Sequence, residues 1–212
     1  MTLALITSYL IGSISFAWLI SKAHGIDLRK VGSGNLGATN LSRACGRKWA
    51  YTCFALDVLK GFIPVFIVKF FIPDSPSPTI LATWMAIGVA AILGHIFPFY
   101  LKFKGGKGVA TSFGVVLGIW PYYTIPGILA FILWAIIVLI WKYISLASVI
   151  AAAMFPVLLI LFTAVLKTWE LNNLWPLILA AIILCSLVIV LHSSNIKRIL
   201  EGTEHKVLQK KS

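Results

Sequence analysis

The sequence predicts an all-α integral membrane protein with seven transmembrane helices, and two observations predict it. The chain has 212 residues, 60% of them hydrophobic and 11% charged, against about 25% charged in an ordinary soluble domain. The apolar residues also come in blocks long enough to cross a bilayer, which takes about 20 consecutive residues as a helix. So few charges cannot cover a globular surface in water.

The blocks follow in order. Thr2–Ile20 carries no charge. It lacks the basic start of a signal peptide and runs too far for one, so it is read as a retained first span. A basic loop, Lys22–Lys48, leads to a second span over Trp49–Ile72, which holds Asp57, Lys60 and Lys69. A short Pro/Ser-rich loop and a third span, Ile80–Phe97, come next. A glycine-lysine loop, Pro98–Gly108, then opens the long apolar stretch Val109–Trp141. Its middle, Trp120-Pro121-Tyr122-Tyr123 with Pro126, carries interfacial aromatics and helix breakers. It therefore divides into a short span, Gly106–Trp120, about 22 Å long at about 1.5 Å per residue, and a full one, Tyr122–Trp141. Ile144–Leu166 and Leu174–His192 complete the seven.

Charge supports the count. Net charge is +12, from 18 Lys and Arg against 6 Asp and Glu. Seven spans put 15 of the 18 basic residues on one side and only Lys167 on the other, with Lys60 and Lys69 inside span two. The basic side is the cytoplasmic one, so the N-terminus is expected outside and the C-terminus inside. Six spans would strand the basic tail outside. One polytopic domain is expected over residues 1–204, followed by a basic tail, 205–212. No internal repeat is visible, which weighs against a transporter built from inverted repeats.

Three segments carry unusual polar chemistry, and all fall on the basic side. The first is Gly32-Ser33-Gly34-Asn35-Leu36-Gly37-Ala38-Thr39-Asn40, followed by Arg43 and Arg47. Its glycines let backbone N–H groups converge on an anion. Ser33, Asn35, Thr39 and Asn40 add neutral donors, and the arginines add charge in a bidentate fork. The second runs from Gly94-His95 and Pro98 through Phe103-Lys104-Gly105-Gly106-Lys107-Gly108 to Thr111, a glycine-lysine loop entering a helix. It is not a nucleotide-binding P-loop, because GxxxxGK[ST] is absent. The third is His192, Asn195 and Arg198, three residues apart and so on one side of a helix leaving the membrane, followed by Glu201 and Glu204. The plainer reading of each is a solvated basic loop or a polar helix end. Asp57 and Lys60 lie one turn apart inside span two, where they either pair with each other or serve a function. Cys45, Cys53 and Cys185 show no ligand spacing and are expected to be packing residues, and no metal or cofactor is expected.

These stretches, GSGNLGATN with Arg43, GHIFPFYLKFKGGKGVAT and HSSNIKRILEGTE, resemble the bacterial membrane acyl-phosphate:glycerol-3-phosphate acyltransferases. The resemblance extends over essentially the whole chain. It implies transfer of a fatty acyl group from acyl phosphate to the 1-hydroxyl of glycerol 3-phosphate, giving lysophosphatidic acid and inorganic phosphate, the first acylation of phospholipid synthesis. It also implies that neither acyl-CoA nor acyl carrier protein is the direct donor. The location implied is the bacterial inner membrane, with the active site facing the cytoplasm. The partners are membrane lipid and the two substrates, without nucleic acid.

Carried over by position, the resemblance implies a reacting centre of Ser33, Lys107, His192 and Asn195. Around it would lie substrate contacts from Gly34, Asn35, Gly37, Thr39, Asn40, Arg43, His95, Lys104, Gly105, Gly106, Gly108, Thr111, Arg198 and Glu204. Ser33, Asn35, Thr39 and Asn40 are assigned to the donor phosphate with the 105–108 loop. Arg43, Lys107, His192 and Asn195 are assigned to glycerol 3-phosphate, and the base is either His192 or the substrate's own phosphate. The residues suit this chemistry in their own right: two phosphate-bearing substrates need two anion sites, and a mixed anhydride needs no enzyme nucleophile. None of the four histidines has an aspartate five residues on, so the His-x4-Asp pattern of other glycerolipid acyltransferases is absent. The competing class is a transporter or flippase for a phosphorylated metabolite, which would place polar residues through several spans. Spans one, three and seven are nearly free of them.

Overall fold

The computed structural model describes residues 1–166 and 168–207. Lys167 and the last five residues of the basic tail, Lys210 among them, lie outside the described residues. Described residues form ten α-helices and two short 3-10 turns. Six stretches are long and apolar enough to cross a membrane: Thr2–Ala23, Arg47–Lys69, Pro78–Leu101, Thr124–Trp141, Ile144–Val165 and Leu171–Leu191. The expected short span is a helix of 10 residues, Val109–Gly118. It starts later than expected because Gly106–Gly108 remain in the loop.

The chain forms two compact units, Met1–Trp120 and Pro121–Ser212. In the first, the opening span is two helices rather than the one expected. α1 (Thr2–Ser13) and α2 (Phe16–Ala23) are separated by Ile14 and Ser15 in extended conformation. A break at membrane depth frees backbone groups that lipid cannot satisfy, and side chains satisfy them here. Lys60 Nζ donates to the Ile14 carbonyl at 2.7 Å. The Tyr100 hydroxyl accepts from the Ser15 N–H and donates to the Ser13 carbonyl, both at 2.9 Å. The basic loop that follows is also more ordered than expected, with a turn at Leu28–Lys30 and a helix, α3 (Ala38–Cys45).

α4 (Arg47–Lys69), α5 (Pro78–Ile96) and α6 (Val109–Gly118) complete this unit. Small residues let the helices meet backbone to backbone, as membrane helices without a hydrophobic driving force require. A Cβ on Gly12 would come 2.1 Å from the Ala91 carbonyl oxygen, and one on Gly94 would come 2.2 Å from that of Tyr9, which seats α1 against α5. Gly61 against Thr111 and Gly114 against Val58 do the same for α4 and α6, at 2.2 and 2.0 Å. These crossings fix the start of α6, and with it the loop that enters it.

The second unit is an antiparallel run of α7 (Thr124–Trp141), α8 (Ile144–Val165) and α9 (Leu171–Leu191), then the short α10 (Ser193–Leu200). Within it the Tyr123 hydroxyl donates to the Leu177 carbonyl, and Trp134 Nε1 donates to Ser148 Oγ at 3.2 Å. Ile132, Leu139, Leu161, Ile183 and Val190 are exposed along these helices, an apolar exterior suited to lipid.

Candidate active site

The first glycine-rich segment is shaped by Asn40. This residue is almost wholly buried, and its amide nitrogen donates to the carbonyls of Leu28, Val31 and Asn35 at 3.1, 2.9 and 3.1 Å. Its amide oxygen accepts from the Ser33 N–H at 3.1 Å. One side chain thus gathers residues 28 to 35 into a tight loop. Gly32 and Gly34 lie at φ +57° and +70°, a region costly for other residues. A Cβ on Gly32 would also come 2.4 Å from Asn40 Oδ1 and 3.5 Å from Arg43 Cδ. Arg43, on the last turn of α3, therefore lies along this loop, with Ser33 exposed at its tip.

The second segment folds back on the end of α5. Gly105 N–H donates to the Ile96 carbonyl at 3.0 Å and Gly106 N–H to that of His95 at 3.2 Å. Lys102 and Phe103, at φ 55° and 58°, turn the chain with two consecutive left-handed non-glycine residues, a costly conformation that the surrounding contacts hold in place. Gly106 fits where nothing larger could. A Cβ there would come 2.1 Å from His95 Nε2 and 2.9 Å from the Leu36 carbonyl oxygen. The two glycine-rich segments therefore meet at Gly106 and Leu36. Lys107 is half-buried and Lys104 exposed. Gly108 opens α6 at φ +80°. In its first turn, among the described residues, the buried hydroxyls of Thr111 and Ser112 have no hydrogen-bond partner.

The third segment belongs to the second unit. His192 does not continue the span helix: it is the residue between α9 and α10. Its Nδ1–H donates to the Val188 carbonyl at 2.8 Å, so Nε2 is the basic atom of the neutral ring. Asn195 and Arg198 share one side of α10, as their spacing predicts, and Glu204 holds both. Glu204 Oε1 accepts from Asn195 Nδ2 at 2.6 Å and from Ser145 Oγ at 2.8 Å, while Oε2 accepts from Arg198 Nε at 2.7 Å. Burial pushes the Glu204 carboxyl up. The hydrogen bonds from Asn195, Arg198 and Ser145, with the Arg198 charge, outweigh that and hold it below its usual range. Glu204 is thus spent on protein contacts, clipping the tail to α8 and α10. Nothing in the sequence marks Ser145 for this, since an isolated serine after a turn carries no pattern.

Beneath the first unit's loops, Asp57 and Lys60 do pair, at 2.7 Å, with both side chains 3% exposed. His95 Nδ1 stands 3.6 Å from the same Asp57 oxygen.

Among the described residues the chain is helical, with six stretches able to cross a membrane and two cationic, glycine-rich loops held in contact, which defines its class as an integral membrane protein. The chain belongs to the glycerol-3-phosphate acyltransferase family, whose sequence profile matches residues 2–202. It is 43% identical over 204 residues to the glycerol-3-phosphate acyltransferase of Aquifex aeolicus, covering 95% of this chain and 96% of that one. It is also 43% identical to glycerol-3-phosphate acyltransferase 2 of Thermotoga maritima, covering 95% and 94%. Among solved structures it resembles PlsY (YgiH), an integral membrane glycerol 3-phosphate acyltransferase. The glycerol 3-phosphate form of that protein matches with a TM-score of 0.80 at 42% identity, over 97% of this chain and 94% of that chain. The lysophosphatidic acid form matches with a TM-score of 0.77 at 41% identity. The enzyme class expected from the three motifs is therefore the right one, as are a helical membrane fold and bacterial relatives.

Proposed function

We propose that this protein moves a fatty acyl group from acyl phosphate to the 1-hydroxyl of glycerol 3-phosphate. The alkoxide oxygen bonds to the acyl carbon, the carbon–oxygen bond to phosphate breaks, and the hydroxyl proton leaves on a base or on the departing phosphate. Lysophosphatidic acid and inorganic phosphate are the products. The observation that carries this reading is the contact of two glycine-rich cationic loops at Gly106 and Leu36, one cradle for each substrate phosphate. The two ligand states of the solved relative, glycerol 3-phosphate and lysophosphatidic acid, are the acceptor and the product of this reaction. Ser33, Asn35 and Thr39 would donate to the donor phosphate, with Gly108 supplying a backbone N–H. Gly105 and Gly106, whose N–H groups are spent on the Ile96 and His95 carbonyls, would shape the loop instead of binding through those groups. Lys107 and Arg43 would neutralise glycerol 3-phosphate, with Lys104 at the rim. Asn40 would act by holding its loop, and Glu204 by ordering Asn195 and Arg198. His192 Nε2 would take the proton, unless phosphate does. Thr111, with its unpartnered hydroxyl at the start of α6, would face the same cradle.

The decisive assay supplies purified protein with glycerol 3-phosphate and either palmitoyl phosphate or palmitoyl-CoA. Phosphate release and lysophosphatidic acid are expected only with the first. Turnover with palmitoyl-CoA alone would refute the donor assignment.

Residues 1–204 would act as one acyltransferase at the cytoplasmic face of the bacterial inner membrane. The short α6 would count as a seventh crossing, with the N-terminus outside. A cysteine placed at Ser75 should then label only from the periplasmic side, and one at Thr203 only from the cytoplasmic side. Labelling of both from one side would mean an even number of crossings between them, and so a count other than seven.

A further inference from the structure

The buried cluster of α4 and α5 remains unexplained by the reaction. Removing a carboxylate and an ammonium from water is expensive, and such a pair is weak as a source of stability. An ionisable residue at membrane depth more often serves function. Lys60 holds Asp57 at 2.7 Å and the Ile14 carbonyl at 2.7 Å, with the Phe16 ring 5.6 Å from its ammonium. Asp57 in turn has His95 Nδ1 at 3.6 Å from the oxygen that Lys60 engages, and Cys53 Sγ at 3.5 Å from its other oxygen. The opposite edge of the His95 ring, Nε2, lies against Gly106. Gly106 is also where the second glycine loop touches Leu36 of the first.

We infer that Asp57 and Lys60 are positioning residues for acyl transfer: they hold the His95 ring, through the ring the Gly105–Gly106 backbone, and so the spacing between the two anion-binding loops. The carboxylate faces Nδ1 and favours a proton there, which leaves Nε2 as the edge presented to the loop. A ring rotated or withdrawn would let Gly106 sink toward α5 and away from Leu36. The inference rests on the proposed role of both loops in phosphate binding. Wild-type turnover with acyl phosphate tests that role separately, and the variants below are assayed with whichever donor the wild type uses.

The test removes both charges together, so that neither is left stranded. Asp57→Asn/Lys60→Met in the full chain should still fold but melt below wild type, because the Ile14 carbonyl loses its donor. It should lower kcat/KM about 10–100-fold, chiefly through a higher KM for glycerol 3-phosphate, the scale expected when a binding group shifts by about 1 Å. Placed on a His95→Gln background, the same pair should cost less than about threefold, because residues acting through one another are not additive. If the double variant does not fold, the ring nitrogens of His95 in the wild type decide instead, read by 15N shifts: a proton on Nδ1 is expected. Kinetics within about twofold of wild type, full multiplicative loss on the His95→Gln background, or a ring protonated only at Nε2 would each overturn the inference.

Discussion

Lys107→Ala and Arg43→Ala should each lose about 10–150-fold in kcat/KM while the protein still inserts and folds. The figure follows from charge-assisted hydrogen bonds of about 1.5–3 kcal/mol each, at about 1.4 kcal/mol per decade. Arg43 is exposed at the end of α3, and Lys107 is half-buried in a loop whose shape comes from the backbone bonds of Gly105 and Gly106. Both should act on the phosphate terms, so steady-state kinetics at varied glycerol 3-phosphate are the measurement. Lys210→Ala, in the tail, serves as the control and should leave activity unchanged. Equal loss in all three variants would mean that surface charge, and not a bound phosphate, is what matters.

Ser33→Ala should cripple the rate by about 10²–10³-fold, the cost of one lost donor to a developing oxyanion. Ser33→Thr or Ser33→Cys should recover part of it. Ser33 invites a different reading, as an acyl-enzyme nucleophile. The residues two positions away are Val31 and Asn35, not the glycines of a nucleophile elbow. In the structure its engaged group is the backbone N–H, which donates to Asn40 Oδ1 at 3.1 Å. Ser33 itself is exposed at the loop tip between two left-handed glycines. Wild-type protein incubated with acyl phosphate and no glycerol 3-phosphate should therefore keep its intact mass. A gain of one acyl chain, mapped to Ser33, would replace direct transfer by a covalent route.

What the sequence made legible follows from what each pattern encodes. Apolar runs mark membrane crossings because bilayer thickness is fixed, and the six long stretches appear where the runs place them, within a few residues at each end. Glycine clusters with lysine and arginine mark tight loops, and the two segments are indeed loops that meet at Gly106 and Leu36. The break at Ile14 was not legible: Gly12-Ser13-Ile14-Ser15 reads as an ordinary helical stretch, and only Lys60, 46 residues on, and Tyr100 make an extended conformation tolerable. Glu204 and Asn40 were legible as polar residues in the right places but not as organisers, since spacing along a chain says nothing about which carbonyls lie within 3.1 Å. The i, i+3 spacing of Asp57 and Lys60 allowed a pair without requiring one, and His95 beside them came from packing of α5 on α4 alone.

The broken first helix also constrains how the protein is made. α1 and α2 leave the ribosome before the residues that cover their exposed peptide groups, Lys60 on α4 and Tyr100 after α5. An uncovered backbone group in hydrocarbon costs several kcal/mol. A first segment released alone into lipid would relieve that cost by closing into one continuous helix, without its bend. The bend therefore depends on Lys60 and Tyr100 being packed against it. The shape of the first crossing is thus held by residues of the second and third, through Lys60 and Tyr100.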